Sequence, residues 1–295
     1  MRLSVFLVWT TVLLTCCGTV SASTYNAFTD PQTVTIEGYS GSAMEPFIAR
    51  DGDYLLFNTS NVAPNIPALQ FATRINAQTF QYQGEIKGEA VNEPEVLSGT
   101  PTMTADGVLY FVSPRSYSQT LSTIYSGQFS SGVVTGVHLV AGVSGGTPGT
   151  VDFDVEVSSD GQQLYVSVGH FEADGMGPTR ASIELFDKVG DGFIPDPHSA
   201  KLLRKVNGSG ELDYAASISS NDLELFFTRA SPELGEPPAI YRAARASVSR
   251  PFAHVQRVAA ITGFAEAPSI SADGSTLYYH ALIGGQYEIE SVTRP

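Results

Sequence analysis

The sequence predicts an all-β chain: a five-bladed β-propeller of four-stranded antiparallel blades, closed by the N-terminal strand pairing in the last blade. Three observations predict it. A strand–turn–strand motif recurs five times at a spacing near fifty residues. Each copy is followed by further strand-like segments. The last copy stops one strand short, while an unmatched strand stands near the other end of the chain.

The motif reads "FIARDGDYLLFN" from Phe47, "TMTADGVLYFVS" from Thr102, "EVSSDGQQLYVS" from Glu156, "SISSNDLELFFT" from Ser217 and "SISADGSTLYYH" from Ser269. Its turn residues Asp51, Asp106, Asp160, Asn221 and Asp273 are separated by 55, 54, 61 and 52 residues. A period of that length marks a repeat architecture. The Asp-Gly pair makes the hairpin. Asp bonds its own local backbone, and Gly takes the positive φ of a tight turn. In the fourth copy Asn221-Asp222 does this less comfortably. The apolar columns Ile48, Met103, Val157, Ile218, Ile270 and Leu55, Leu109, Leu164, Leu225, Leu277 are expected in the core.

A third strand follows, ending in a basic residue in "LQFATR" (Arg74), "IYRAAR" (Arg245) and "IESVTR" (Arg294). A fourth is read in "GEIKG", "GVHLVAG", "AKLLRKV" and "HVQRVAAITG". Four strands punctuated by Gly, Pro and Ser turns make one propeller blade. The fifth copy ends after its third strand, at Arg294-Pro295. "QTVTIEGYSGSAMEPFIARDG" matches the lead-in of that copy, "VQRVAAITGFAEAPSISADG", in spacing and character. Thr33–Glu37 is therefore expected to complete the last blade and cover its edge.

The pattern "AxSxDGxxLYF", with Pro-containing lead-ins such as "EAPSISADG" and "SGTPTMTADG", resembles the PD40 or WD40-like repeats of TolB-type propellers. The resemblance covers the chain beyond its first residues and implies the fold. Its matching residues are turn and core residues and carry no activity. TolB itself places an α/β domain before a six-bladed propeller, a domain with no counterpart in this reading, so the Tol-complex role is not implied.

The opening "MRLSVFLVWTTVLLTCCGTVSAS" has the layout of a secretory signal peptide. Arg2 is the basic n-region, Leu3 to Thr15 the apolar core and Val20-Ser21-Ala22 the cleavage site. The apolar run is too short to span a bilayer comfortably, and Thr15 before Cys16 fits a lipoprotein poorly. The expected division is 1–22 signal peptide and 23–295 propeller, with a periplasmic or secreted location. Both cysteines, Cys16 and Cys17, fall in the first segment, so neither a disulfide framework nor a cysteine nucleophile is expected in the mature chain. Acidic residues number 30 against 16 basic, without a basic cluster. Such a surface repels phosphate backbones, and nucleic acid is not an expected partner.

Propeller ligands bind at the mouth of the central channel, near the starts of the innermost strands. Aligning the repeats puts Glu45, Asp152, Asp154, Asp213 and Glu266 there. Convergent carboxylates could act as acid and base, as nucleophile, or as cation ligands, and five-bladed furanosidases place their acids comparably. The five histidines show no metal-ligand spacing, no GxSxG elbow occurs, and the lone Trp9 lies in the signal segment. No cofactor or metal is expected. The one place for a calcium ion is the Asp- and Gly-rich insertion "GHFEADGMGPTR" with "FDKVGDGFIPDPHS", which reads first as a solvated loop. The expectation is a monomeric, exported binding or scaffolding module for an envelope protein or glycan, without a membrane span. The alternative is a hydrolase or lyase acting on extracellular polysaccharide.

Overall fold

The computed structural model describes residues 26–172, 177–208 and 210–295. The residues 1–22 expected as a signal peptide lie outside them. Within them the chain is all-β, and its helices are single turns such as Tyr117–Thr120 and Ser199–Leu202.

Each repeat forms an antiparallel sheet in sequence order. The first runs Met44–Ile48, Tyr54–Asn58, Leu69–Asn76 and Thr79–Glu85; the second runs Gly99–Met103, Val108–Val112, Ile124–Ser130 and Val133–Leu139. The third runs Thr150–Val157, Gln163–Phe171, Pro178–Val189 and Gly192–Pro195, and the fourth Leu212–Ile218, Glu224–Ser231, Glu236–Ala244 and Ala253–Arg257. A single bridge, Ala181 to Leu212, joins these two into one larger sheet. The fifth comprises Ala265–Ile270, Thr276–Ile283 and Gln286–Thr293, with Thr29–Thr33 as its outermost strand.

The Asp-Gly turns behave as their chemistry requires. Gly52, Gly107, Gly161 and Gly274 have φ of 80°, 85°, 70° and 73°, and Asp222 takes 57° in the glycine's place. The side chains of Asp51, Asp160, Asn221 and Asp273 accept the amide two residues on, at 2.9 to 3.1 Å. Both apolar columns are buried, from Leu55 at 0 % exposure to Met103 at 5 %. They feed apolar clusters that each bridge two neighbouring sheets, including one that joins Tyr278 and Ile289 of the last repeat to Ile48, Leu55 and Phe80 of the first. Each innermost strand lies against the next, and Ala265–Ile270 lies against Met44–Ile48.

Three expectations are corrected. The segment Thr33–Glu37 is divided: Thr33 ends the strand paired with Gln286–Thr293, whereas Thr35–Glu37 runs parallel to Thr79–Glu85 at the edge of the first sheet. Val34, between them, is buried and donates its amide to the Ile289 carbonyl at 2.9 Å. It turns inward while the chain crosses from one sheet to the next. "GEIKG" is likewise shared: Lys87–Gly88 pairs with the second repeat's outer strand, not with the first. "AKLLRKV" is not a strand but a helical turn that buries Leu202, Leu203 and Val206 between the third and fourth sheets. The fourth strand of the third repeat is instead Gly192–Pro195, inside the insertion read as a solvated loop.

Basic residues ending the third strands clamp the hairpins. Arg74, Arg245 and Arg294 donate Nε to the Gly52, Asp222 and Gly274 carbonyls at 2.5, 2.6 and 2.7 Å. Arg74 and Arg245 also reach Tyr278 and Tyr165 of the preceding repeat.

Candidate functional site

The inner strands share a kink. In every repeat a bulge shifts the register between the first and second strands. At Glu45, Thr100, Ala215 and Ala267 the bulged residue has φ between 49° and 53°. Such a bulge frees an amide from the ladder. Here each freed amide is taken by the side chain three residues after the column leucine in the preceding repeat's second strand: Thr100 by Asn58, Ala215 by Ser167, Ala267 by Thr228 and Glu45 by His280, at 3.0 to 3.1 Å. The bulges turn alternate side chains into the channel and set the geometry of its mouth.

That mouth is a concave cleft of about 260 Å³ lined by Glu45, Asp154, Glu266, Tyr214, His280, Asn61, Phe153 and Phe171 together with smaller residues. The structure thus brings together Glu45, Asp154 and Glu266 of the expected acids. Below the cleft the channel narrows to a cavity of about 20 Å³, room for about one water molecule. Deeper still, Arg50 and Glu156 form a buried ion pair at 2.8 Å, and Thr102 donates to the same carboxylate at 2.6 Å.

Asp152 and Asp213 do not join the mouth. The bulge makes Asp152 and Asp154 face consecutive partners, Val168 and Ser167, so their side chains leave opposite faces of the strand. Asp152 is fully buried, and neither of its carboxyl oxygens has a hydrogen-bond partner. Burial, and secondarily the Glu184 charge, push it up to about 7. Asp213 is committed to Arg229 Nε at 2.7 Å and to the Gly208 amide at 2.6 Å. Burial still raises it above the usual carboxylate range.

At the mouth itself the acids differ. Asp154 is 8 % exposed, with the Ser167 hydroxyl donating to it at 3.5 Å. Burial, reinforced by Glu45 and Glu156, holds it well above the ordinary range. Glu45 is raised mainly by burial, against the lowering pull of His280, and accepts from Asn61 Nδ2 at 3.2 Å. Glu266 stands directly across the strand pair from His280. It accepts from the Tyr214 hydroxyl and faces His280 Nε2 at 3.2 Å. Because His280 Nδ1 accepts the Glu45 amide, the neutral ring carries its proton on Nε2 and donates it to Glu266. The mouth therefore contains two carboxyls biased toward protonation and a third oriented by two donors. That is the division of labour acid–base chemistry uses.

His280, Tyr214, Phe153 and Phe171 were not singled out from sequence. One signal was available: the position three after the column leucine is Asn58, Ser167, Thr228 and His280 in four repeats, a polar column where an apolar one would be expected. Among the described residues no group of three or more His, Cys, Asp or Glu side chains is placed to hold a metal ion.

No protein-family model matches the chain, and no curated protein matches it. Solved structures do. A glycoside hydrolase superposes with a TM-score of 0.63 at 12 % identity, covering 93 % of this chain and 92 % of that one. Zg3597, a family 117 glycoside hydrolase from the marine bacterium Zobellia galactanivorans, gives 0.55 at 11 % identity, over 92 % and 91 %. TolB from Acinetobacter baumannii gives 0.45 at 14 % identity, over 86 % of this chain and 55 % of that one. At these identities the likeness is one of fold, an all-β propeller.

Proposed function

We propose that the chain is an exported five-bladed propeller, its ring closed by the N-terminal strand on the last blade, that binds a saccharide at the channel mouth and cleaves a glycosidic bond there. The observation that carries this is the gathering of Glu45, Asp154 and Glu266 in one concave cleft beside Phe153, Phe171 and Tyr214. A neutral carboxyl gives its proton to the leaving glycosidic oxygen, and a carboxylate activates water or attacks the sugar. Glu45, biased toward protonation by burial, suits the first role and Glu266 the second. Tyr214 and His280 are positioning residues that fix the Glu266 carboxylate. The aromatic cluster offers a face for a sugar ring. Fold-level likeness to glycoside hydrolases supports this reading without assigning a substrate.

The test is release of reducing ends from a panel of extracellular polysaccharides. Wild type should release them from at least one, and Glu266→Gln and Glu45→Gln should each lower the rate by roughly 10²–10⁴-fold. A panel without turnover or binding would overturn the proposal.

A second reading, a binding module for an envelope protein or glycan, is favoured by one observation. The second-to-third-strand loops expose Val62, Ile66 and Leu234, with Leu234 at 72 %, and Ile283 is exposed at the end of its strand. Binding that survives Glu266→Gln without any turnover in the wild type would select it. Export rests on the N-terminal layout, and its check is a mature N-terminus near Ser23.

A further inference from the structure

We infer that the saccharide taken at the channel mouth carries a free amine: an amino sugar in its ammonium form. The inference rests on the proposed saccharide site and specifies its ligand. Three carboxyl groups face the cleft, and none of the described residues lining it is Lys or Arg. The arginines nearest in the repeats are engaged elsewhere, Arg50 with Glu156 and Arg229 with Asp213. An anionic sugar would meet only like charge. A neutral sugar would leave Asp154, more than nine-tenths buried and holding a single long hydrogen bond from Ser167, without a strong partner. Buried carboxylates are found paired or protonated.

The walls point the same way. Phe153 packs edge-on against Phe171 at 5.6 Å between ring centroids and tilts against Tyr214 at 5.8 Å. Aromatic faces beside carboxylates form the setting in which an organic ammonium is held by charge and ring quadrupole together. The absence of a metal-type cluster among the described residues leaves a compact inorganic ion without a ligand set. An ammonium instead donates to carboxylates on one side and lies over rings on the other. Its arrival replaces the proton that burial keeps on Asp154, while Glu45 keeps the one the leaving oxygen takes, so binding should release protons to the solvent.

The test is calorimetric titration of the mature protein, near neutral pH, with a glucosamine trisaccharide, its N-acetylated counterpart, a galacturonic acid trisaccharide and trilysine. The glucosamine trisaccharide should bind at least about tenfold more tightly than the N-acetylated one. It should release protons, seen as a buffer-dependent heat, and weaken as salt rises from about 50 to about 500 mM. Asp154→Asn should erase the preference; if that variant fails to fold, Glu266→Gln at the more open rim makes the same comparison. Equal or tighter binding of the N-acetylated sugar overturns the amine inference and leaves the saccharide site standing. Trilysine binding as tightly as the amino sugar overturns it in favour of a peptide amine. Failure of every saccharide in both this set and the polysaccharide panel overturns both proposals.

Discussion

At the scale of the residue, Asp152 makes the sharpest claim. Its carboxyl is fully buried, unpartnered and pushed up to about 7. A folded value above the unfolded one means that the native state binds the extra proton between about pH 4 and pH 7. Stability therefore falls as pH rises through that window and levels off above it. Asp152→Asn should melt higher than wild type near pH 8, by a few kcal/mol on the order-of-magnitude scale of one such shift. It should also show a flatter melting profile between pH 4 and 7. Identical pH profiles for the two proteins would place the carboxyl in water. Asp152 also marks where the sequence stopped being informative about the site. Residues 152 and 154 share a parity, and only the bulge between them sends one to the mouth and the other into a sheet interface. Glu45, Asp154 and Glu266 were legible because their repeats align with the inner-strand starts. Tyr214 and His280 were not, because their roles arise from contacts across strands and repeats.

At the scale of the element, the repeat motif fastens neighbouring sheets as well as making hairpins. The residue four places before the turn acid is Thr102, Glu156, Ser217 or Ser269 in four repeats. Each accepts an inner-strand amide of the following repeat: Val157, Ile218, Ile270 and Ile48, at 3.0 to 3.2 Å. In the first repeat that position is Phe47, and the junction relies on Asn58 holding Thr100. Removing a buried acceptor strands its donor, which costs about 1–3 kcal/mol. Ser217→Ala should lose that much in denaturant melts, whereas a solvent-exposed serine such as Ser249 should lose almost nothing. Truncating Leu225 to Ala, in the fully buried column, should cost roughly 2–5 kcal/mol. The hairpins and their apolar columns were readable because turn chemistry and period-two patterning are local. The outer strands were not. Short edge segments such as Lys87–Gly88 choose partners by tertiary position. "AKLLRKV" carries apolar residues that serve a strand or a helical turn equally well.

At the scale of the whole molecule, the two ends of the chain meet in one sheet. Thr29–Thr33 covers the last strand, Phe28 packs edge-on against Phe226 at 5.7 Å, and the Arg294 guanidinium lies over the Phe28 ring. Arg294 also grips Glu224 with both terminal nitrogens, at 2.9 and 2.6 Å. A variant lacking residues 26–37 would bare the Gln286–Thr293 edge, and an uncovered edge recruits other chains. Size-exclusion chromatography should show it as oligomers, with a melting point well below wild type; a stable monomer would detach closure from stability. The mouth depends on the first and last repeats meeting, because Glu45 comes from the first while His280 and Glu266 come from the last. Hydrogen exchange with and without a bound saccharide tests this most directly. Slowed exchange confined to Met44–Ile48, Thr150–Val157, Leu212–Ile218 and Ala265–Ile270 is the predicted result. Protection confined to the Asp-Gly turns of the opposite face, around Asp106, Asp160 and Asp273, would contradict it.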